Sequence, residues 1–194
     1  MTRLLKLGFL LAALAALPIV DAAAQVRGVV GVGLAVPVGD FADETGGAAQ
    51  AGGGTALAGV EWLPAGNAFG LRLDGAYNRF CTSLCDEDAG DRDVRYRFLN
   101  ANLNGILEFP VGADVSIHPY IVAGVGLYNY KLVGDDVPAG GESETDFGLN
   151  GGVGLTYQLD RFGIFGEARV HNVFTEGSDV QYIPVMVGAR FNFR

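Results

Sequence analysis

Isolated charged residues interrupt segments of this chain that are otherwise made of apolar and small residues. Arg72 and Asp74 stand two positions apart, and so do Glu167 and Arg169, a spacing that puts both members on one side of an extended strand. Charge in a confined, low-dielectric interior is costly unless it is paired. We therefore predict a network of ion pairs, formed by Glu61, Arg72, Asp74, Glu108, Glu167, Arg169, His171 and Arg190.

The two cysteines, Cys81 and Cys85, lie in the acidic stretch CTSLCDEDAGDRD. In an exported protein they would meet an oxidising compartment, which favours a local disulfide between them. A metal site would need further thiol or imidazole ligands, and both histidines lie far away in the sequence. The run DEDAGDRD also lacks the ligand order of a calcium loop. We expect neither a metal nor another cofactor.

The first 24 residues have the layout of a secretory signal peptide. Arg3 and Lys6 supply a positive start, LLKLGFLLAALAAL is apolar, and three alanines form a small-residue cleavage site. A membrane anchor is the alternative, but the apolar run is cut by Pro18 before it reaches the roughly 20 residues of a spanning helix. We predict a signal peptide over 1–24 and one domain over 25–194.

The composition does not fit a water-exposed exterior. Hydrophobic residues make up 49% of the chain, 30 residues are glycine, and the net charge is −9. Such a charge disfavours nucleic acid as a partner, because phosphates need a basic surface. Lys131 is the only lysine after the signal segment, although a soluble acidic protein usually carries many on its surface.

Eight segments of the mature chain show the period-2 alternation of half-buried β-strands. Glycine, proline and acidic clusters separate them, at about 27–38, 53–63, 67–80, 94–109, 116–131, 146–159, 162–174 and 181–193. The connectors are alternately long and short. In an up-and-down antiparallel sheet, the long ones all gather at one rim and the short ones at the other. The long connectors and their edges hold most of the 22 acidic residues, so the rim that carries them is predicted to be anionic.

The polar face of the predicted strands consists of glycine, asparagine, threonine and isolated charges, which suits a narrow interior. A soluble, lipocalin-like barrel would instead point its apolar face inward. Aromatic residues gather toward the strand ends, as in the girdles at bilayer interfaces. Those assigned to the short-turn rim are Trp62, Phe69, Phe109, Tyr120, Phe162, Phe191 and Phe193. Those assigned to the long-connector rim are Tyr77, Phe80, Tyr96, Phe98, Tyr128, Tyr130, Phe147, Phe174 and Tyr182. The predicted fold is all-β, an eight-stranded antiparallel up-and-down transmembrane β-barrel.

Three segments carry a resemblance to a known family: PYIVAGVGLYNY, GLNGGVGLTYQLDRFGIFGEARV and the aromatic last strand. In this order, with a signal peptide and alternating connectors, they resemble the small outer-membrane barrels of the OmpA, OmpX and opacity-protein type. The resemblance implies a place in the bacterial outer membrane. It also implies a single barrel with no peptidoglycan-binding domain after the eighth strand.

Such a barrel implies a non-enzymatic role, with acidic extracellular loops displayed for envelope integrity, adhesion or surface recognition. Eight strands leave little room for water, so we expect the charge network to plug the lumen rather than form an ion filter. A narrow porin-like channel is the alternative function. The expected partners are outer-membrane lipid and lipopolysaccharide, with a surface ligand or host protein at the long loops. We expect a monomer.

An enzyme that modifies lipid A is a further, less favoured alternative. One deacylase family with this fold carries histidine and serine two residues apart on a late strand, together with an acid. Here His171 is followed two positions later by Val173, and the serines of the mature chain lie in or near connectors. The nucleophile is therefore missing where the resemblance would place it.

Overall fold

The computed structural model describes residues 25–44, 53–81, 95–109, 116–133, 143–159, 162–176 and 178–193. Its strands are β1 (Gln25–Val38), β2 (Gly53–Leu63), β3 (Phe69–Cys81), β4 (Arg95–Glu108), β5 (Ile117–Val133), β6 (Glu144–Gln158), β7 (Phe162–Val173) and β8 (Val180–Phe193). One short helix, α1 (Asp40–Glu44), follows β1. No helix in these ranges is long and apolar enough to cross a membrane. The predicted signal peptide lies outside the described residues.

The eight strands form one closed barrel in chain order, with β8 pairing back onto β1. Every neighbouring pair is antiparallel, so the predicted up-and-down barrel is confirmed. β5 and β6 extend further toward the long connectors than the sequence indicated, because Val133 of β5 pairs with Arg95 of β4 and Glu144 of β6 pairs with Tyr130 of β5. The connectors at 39–52, 82–94, 134–143 and 174–179 all leave from one rim, which we call the long-connector rim.

The outer surface of the barrel is apolar. On β5, Ile121, Val125 and Leu127 are exposed, whereas Val122 and Tyr128 point inward and are buried. The other strands follow the same alternation, with exposed side chains such as Leu99, Leu103, Val153, Leu155, Val185 and Val187. An apolar belt of this extent suits hydrocarbon rather than water. It explains the hydrophobic composition of a chain whose interior is polar.

Glycines on the inner face make room for large polar side chains on the neighbouring strands. Gly154 pairs with Tyr120 across β6 and β5, and a Cβ atom at this glycine would lie 2.2 Å from the tyrosine Cζ. Gly124 pairs with Asn104, and a Cβ there would lie 2.3 Å from the asparagine Oδ1. The inner glycines therefore reflect the limited width of an eight-stranded lumen.

The aromatic residues follow the predicted girdles only in part. At the short-turn rim an outward ring is present, made of Phe69, Phe109, Phe162, Phe191 and Phe193. At the long-connector rim, Tyr77, Phe147 and Phe174 face outward. The girdle assignment is wrong for Tyr120, Phe80, Phe98, Tyr128 and Tyr182, which are buried inside the barrel, and for Tyr96 and Tyr130, which pack against these inner rings. Their strand parity matches that of the charged residues, and this overrides their position near the strand ends.

Candidate functional site

Two ion pairs cross the barrel interior from β3 to β7. Arg72 Nη1 lies 2.7 Å from Glu167 Oε2, and Arg169 Nη1 lies 3.1 Å from Asp74 Oδ2. Arg169 Nε also donates to Glu167 Oε1 at 2.6 Å, which joins the two pairs. All four side chains are buried. Because β3 and β7 are four strands apart in a ring of eight, the pairs connect opposite walls.

Glu61 on β2 is fully buried and contacts three arginines. Arg72 Nε donates to its Oε1 at 2.8 Å, and Arg190 Nη2 lies 3.3 Å from the same oxygen. The other oxygen lies 3.2 Å from Arg27 Nε. A carboxylate without these partners would be costly at this depth. Glu61 thus links the cross-lumen pairs to the arginines nearer the short-turn rim.

Glu108 on β4 receives two of those arginines. Arg27 Nη2 donates to Glu108 Oε1 at 2.6 Å, and Arg190 Nη1 donates to the same oxygen at 3.2 Å. Arg190 also donates to Thr156 Oγ1 at 2.6 Å. The Glu108 side chain is 20% exposed, so this end of the network reaches solvent at the barrel mouth.

The network has four cations and four anions, and its formal charges cancel. We call it the lumen network; its members are Arg27, Glu61, Arg72, Asp74, Glu108, Glu167, Arg169 and Arg190. Neutral side chains complete it. Asp74 accepts from Asn102 at 2.9 Å and from Asn104 at 2.8 Å, and the Tyr120 hydroxyl donates to Glu167 at 2.7 Å.

His171 lies inside the barrel, apart from the ion pairs. Its Nδ1 is 2.8 Å from the Tyr128 hydroxyl, and its ring stacks on Tyr182 with centroids 4.8 Å apart. Within the described part of the chain, no carboxylate forms an ion pair with it. His171 therefore packs with the aromatic residues and is not a member of the ion-pair network in which the sequence placed it.

An aromatic cluster fills the lumen at the long-connector end. This aromatic cap consists of Ala35, Phe41, Phe80, Phe98, Tyr128, Val173 and Tyr182. Phe41, on α1, lies edge-on to the rings of Phe80 and Phe98, with centroids 5.5 and 5.8 Å apart. Phe41 was not among the predicted interior residues, because its only signal in the sequence is a lone aromatic residue in an acidic connector. The two ends of the lumen network therefore differ. Aromatic rings cover the end toward the long-connector rim, whereas the end toward the short-turn rim is open to solvent.

A polar recess of about 310 Å³ lies at the short-turn end of the lumen. Its lining is Gln25, Arg27, Glu108, His118, Thr156, Gln158 and Asn192. Arg27 and His118 were also missed from the sequence. The inner face of β1 beyond Arg27 is apolar or small, as at Val29 and Ala35, so β1 shows no contrast between faces that would mark this arginine as inward.

The remaining predicted chemistry has no counterpart in the described residues. Cys85 lies outside them, and so does the side chain of Cys81, so the disulfide stays a prediction. No group of three or more His, Cys, Asp or Glu side chains within the described ranges is arranged to hold a metal ion. Among the same residues, no serine forms a hydrogen bond with His171.

Known proteins match this chain in sequence pattern and in fold. The model of the outer membrane protein beta-barrel domain family matches residues 8–193. No curated protein sequence matches the chain significantly.

Solved barrels share the architecture at low sequence identity. Neisserial surface protein A superposes with a TM-score of 0.59 at 16% identity, covering 89% of this chain and 98% of its own. A major outer membrane protein from Thermus thermophilus gives 0.57 at 16% identity, covering 88% of this chain and 100% of its own. Ail, the attachment invasion locus protein of Yersinia pestis, crystallised with the heparin analogue sucrose octasulfate, gives 0.52 at 16% identity, covering 88% and 97%.

The family match covers nearly the whole chain, and the fold agrees with it in strand number, order and apolar exterior. The protein is therefore a bacterial outer-membrane barrel, and the chain belongs to the outer membrane protein beta-barrel domain family.

Proposed function

We propose that this barrel is a non-conducting scaffold that holds acidic connectors at the cell surface for envelope integrity, adhesion or surface recognition. The observation that carries the proposal is the lumen network, which joins β3 to β7 by two ion pairs at 2.7 and 3.1 Å. A rigid frame of this kind suits loops that bind, because binding function tends to sit on loops positioned by a scaffold.

The lumen network argues against the alternative of a narrow channel. Arg72, Arg169 and Arg190 are among the largest fully buried side chains of the described residues. A conducting path would have to separate these cations from their carboxylates, which is costly in a confined interior. The polar recess lies at the short-turn end, on one side of the network only. We therefore propose that it is a vestibule and not part of a pore.

The acidic connectors bear on the kind of partner. Ail was crystallised with an anionic heparin analogue. In the present chain the net charge is −9, and the acidic residues of the connector 82–94 include Asp86, Glu87 and Asp88. Like charges repel, so we propose a cationic or neutral surface partner instead of a sulfated glycan. The barrel closes with a single chain, and we propose that it acts as a monomer.

Surface display is tested by an epitope tag inserted within 82–94, with a matched tag within 64–68 at the opposite rim. On intact cells, we expect antibody to label the first variant and not the second, whereas permeabilised cells should label with both. Each variant must keep the mobility difference between heated and unheated protein on a gel, which reports the folded barrel. Labelling of intact cells through 64–68 alone would reverse the proposed orientation and remove the display role.

A further inference from the structure

Three cationic side chains form a row on the outer face of the barrel. Arg79 on β3 pairs directly with Arg97 on β4, and Arg97 pairs directly with Lys131 on β5. The parity of Arg79 matches that of the exposed Tyr77, and the parity of Lys131 matches that of the exposed Leu127. We call Arg79, Arg97 and Lys131 the basic row.

The row is unusual in this molecule. Each lysine or arginine whose side chain the structure describes belongs either to the lumen network or to the basic row. Like charges placed directly opposite each other on neighbouring strands destabilise a sheet. Within the described part of the chain, no carboxylate forms an ion pair with any of the three. A stable row of this kind calls for an anion beyond the described residues.

The position of the row favours a lipid headgroup as the source of that anion. Tyr77 and Leu99 precede it on the outward face, pair with each other and belong to the apolar belt. Arg79 and Arg97 are the next outward positions toward the long-connector rim, about 7 Å further along each strand. This is the boundary between hydrocarbon and headgroups, where arginine and lysine side chains can reach anionic groups while their stems lie on apolar surface.

We propose that the basic row binds the phosphate groups of an outer-leaflet lipid of the lipopolysaccharide type. Arginine suits this role, because its planar guanidinium can donate two parallel hydrogen bonds to one phosphate. Three cations on adjacent strands match a headgroup that carries more than one phosphate. The proposal uses the orientation described above, with the long-connector rim outward, but it is independent of whether the lumen conducts.

The test is a titration of refolded protein in neutral detergent micelles with fluorescent bis-phosphorylated lipid A. Wild type is compared with the variant Arg79→Gln/Arg97→Gln/Lys131→Gln. Basic residues near an anionic surface contribute additively, so we expect the triple variant to bind on the order of a hundredfold more weakly. The variant Arg79→Lys/Arg97→Lys keeps the charge but loses the paired guanidinium donors, so we expect its affinity to lie between those of wild type and the triple variant. The matched control Asn172→Ala/Gln181→Ala, on the far wall at the same rim, should bind as wild type does.

Dephosphorylated lipid A should bind every variant equally weakly, and inorganic phosphate at the same concentration should not compete with lipid A. Equal binding by the triple variant and wild type would overturn the proposal. Equal binding of the two lipid A forms would also overturn it. No binding by wild type would do the same, and is the result expected if the acidic connector 82–94 already neutralises the row. Heat-dependent gel mobility checks folding, and Arg97→Gln alone replaces the triple variant if that fails to fold. If the lumen conducted ions, the proposed non-conducting role would fail in a conductance measurement, but these lipid A affinities would not change.

Discussion

Arg72 on β3 and Glu167 on β7 form a 2.7 Å ion pair across the whole width of the barrel. The strands lie on opposite walls, so the contact closes the lumen at that level. Arg72 is fully buried and also contacts Glu61, so it is an ion-pair partner of two buried carboxylates. The consequences of this arrangement can be measured in stability and in conductance.

Removing the cation should destabilise the barrel strongly. Arg72→Met leaves Glu61 and Glu167 short of one partner in a buried site, and breaking a buried pair in this way costs about 3–5 kcal/mol. The measurement is equilibrium urea unfolding in lipid vesicles, followed by the fluorescence of Trp62, the single tryptophan. The control Leu73→Met, outward on the same strand, should change the free energy of unfolding by less than about 0.5 kcal/mol.

The double variant Arg72→Met/Glu167→Gln should be more stable than the sum of its single variants implies, because each change removes the partner that the other leaves uncompensated. Additive losses would show that the two side chains do not interact in the folded barrel.

Enlarging an inner glycine should displace Tyr120. Gly154→Val would push a side chain into the tyrosine ring, whose Cζ lies 2.2 Å from the position of a Cβ. Overpacking of this kind costs about 1–3 kcal/mol. Gly151→Val on the same strand is the matched control, because the nearest atom to its Cβ, the Val122 carbonyl oxygen, is 3.8 Å away. Equal losses in urea unfolding for the two variants would argue against tight packing at Tyr120.

The aromatic cap should stabilise the long-connector end. Phe80→Ala removes a fully buried ring that touches Phe41 and Tyr182, and such a truncation costs about 3–5 kcal/mol. Phe147→Ala, on the outward face, is the comparison and should cost less, since lipid replaces the lost contacts. Thermal unfolding followed by gel mobility distinguishes them. A smaller loss for Phe80→Ala than for Phe147→Ala would contradict the packing described here.

His171 should have no catalytic effect on lipid A. The residue is 3% exposed, and its Nδ1 lies within hydrogen-bond distance of the Tyr128 hydroxyl. Mass spectrometry of lipid A from cells that overproduce the protein should show the same acyl pattern as cells that carry His171→Ala. Acyl loss that depends on His171 would instead point to a lipid-modifying enzyme.

The sequence predicted the barrel well because alternation and connector length are local signals. The outward Ile121, Val125 and Leu127 and the inward Gly124 of β5 follow directly from parity. The same local signals were enough to predict the eight strands and their order, because each strand pairs with the next one along the chain.

The contacts inside the barrel were harder to predict from the sequence, because they depend on which strands face each other across the lumen. Parity placed Arg72 and Glu167 on the inner face, but only the closed ring puts them 2.7 Å apart. The position of Phe80 near a strand end predicts a lipid girdle, but its parity is that of the inward residues, and parity decides where its ring lies. Arg27 was missed because the inner face of β1 is apolar or small beyond it, and Phe41 because it enters the lumen from a connector.

The closed lumen is tested most directly by recording purified protein in planar lipid bilayers. We expect wild type to give no discrete conductance steps, because the ion pairs from β3 to β7 fill the interior. The variant Arg72→Ala/Asp74→Ala/Glu167→Ala/Arg169→Ala, which removes both pairs, should give measurable steps if it remains folded by gel mobility. Reproducible single-channel steps from the wild-type protein would contradict the account.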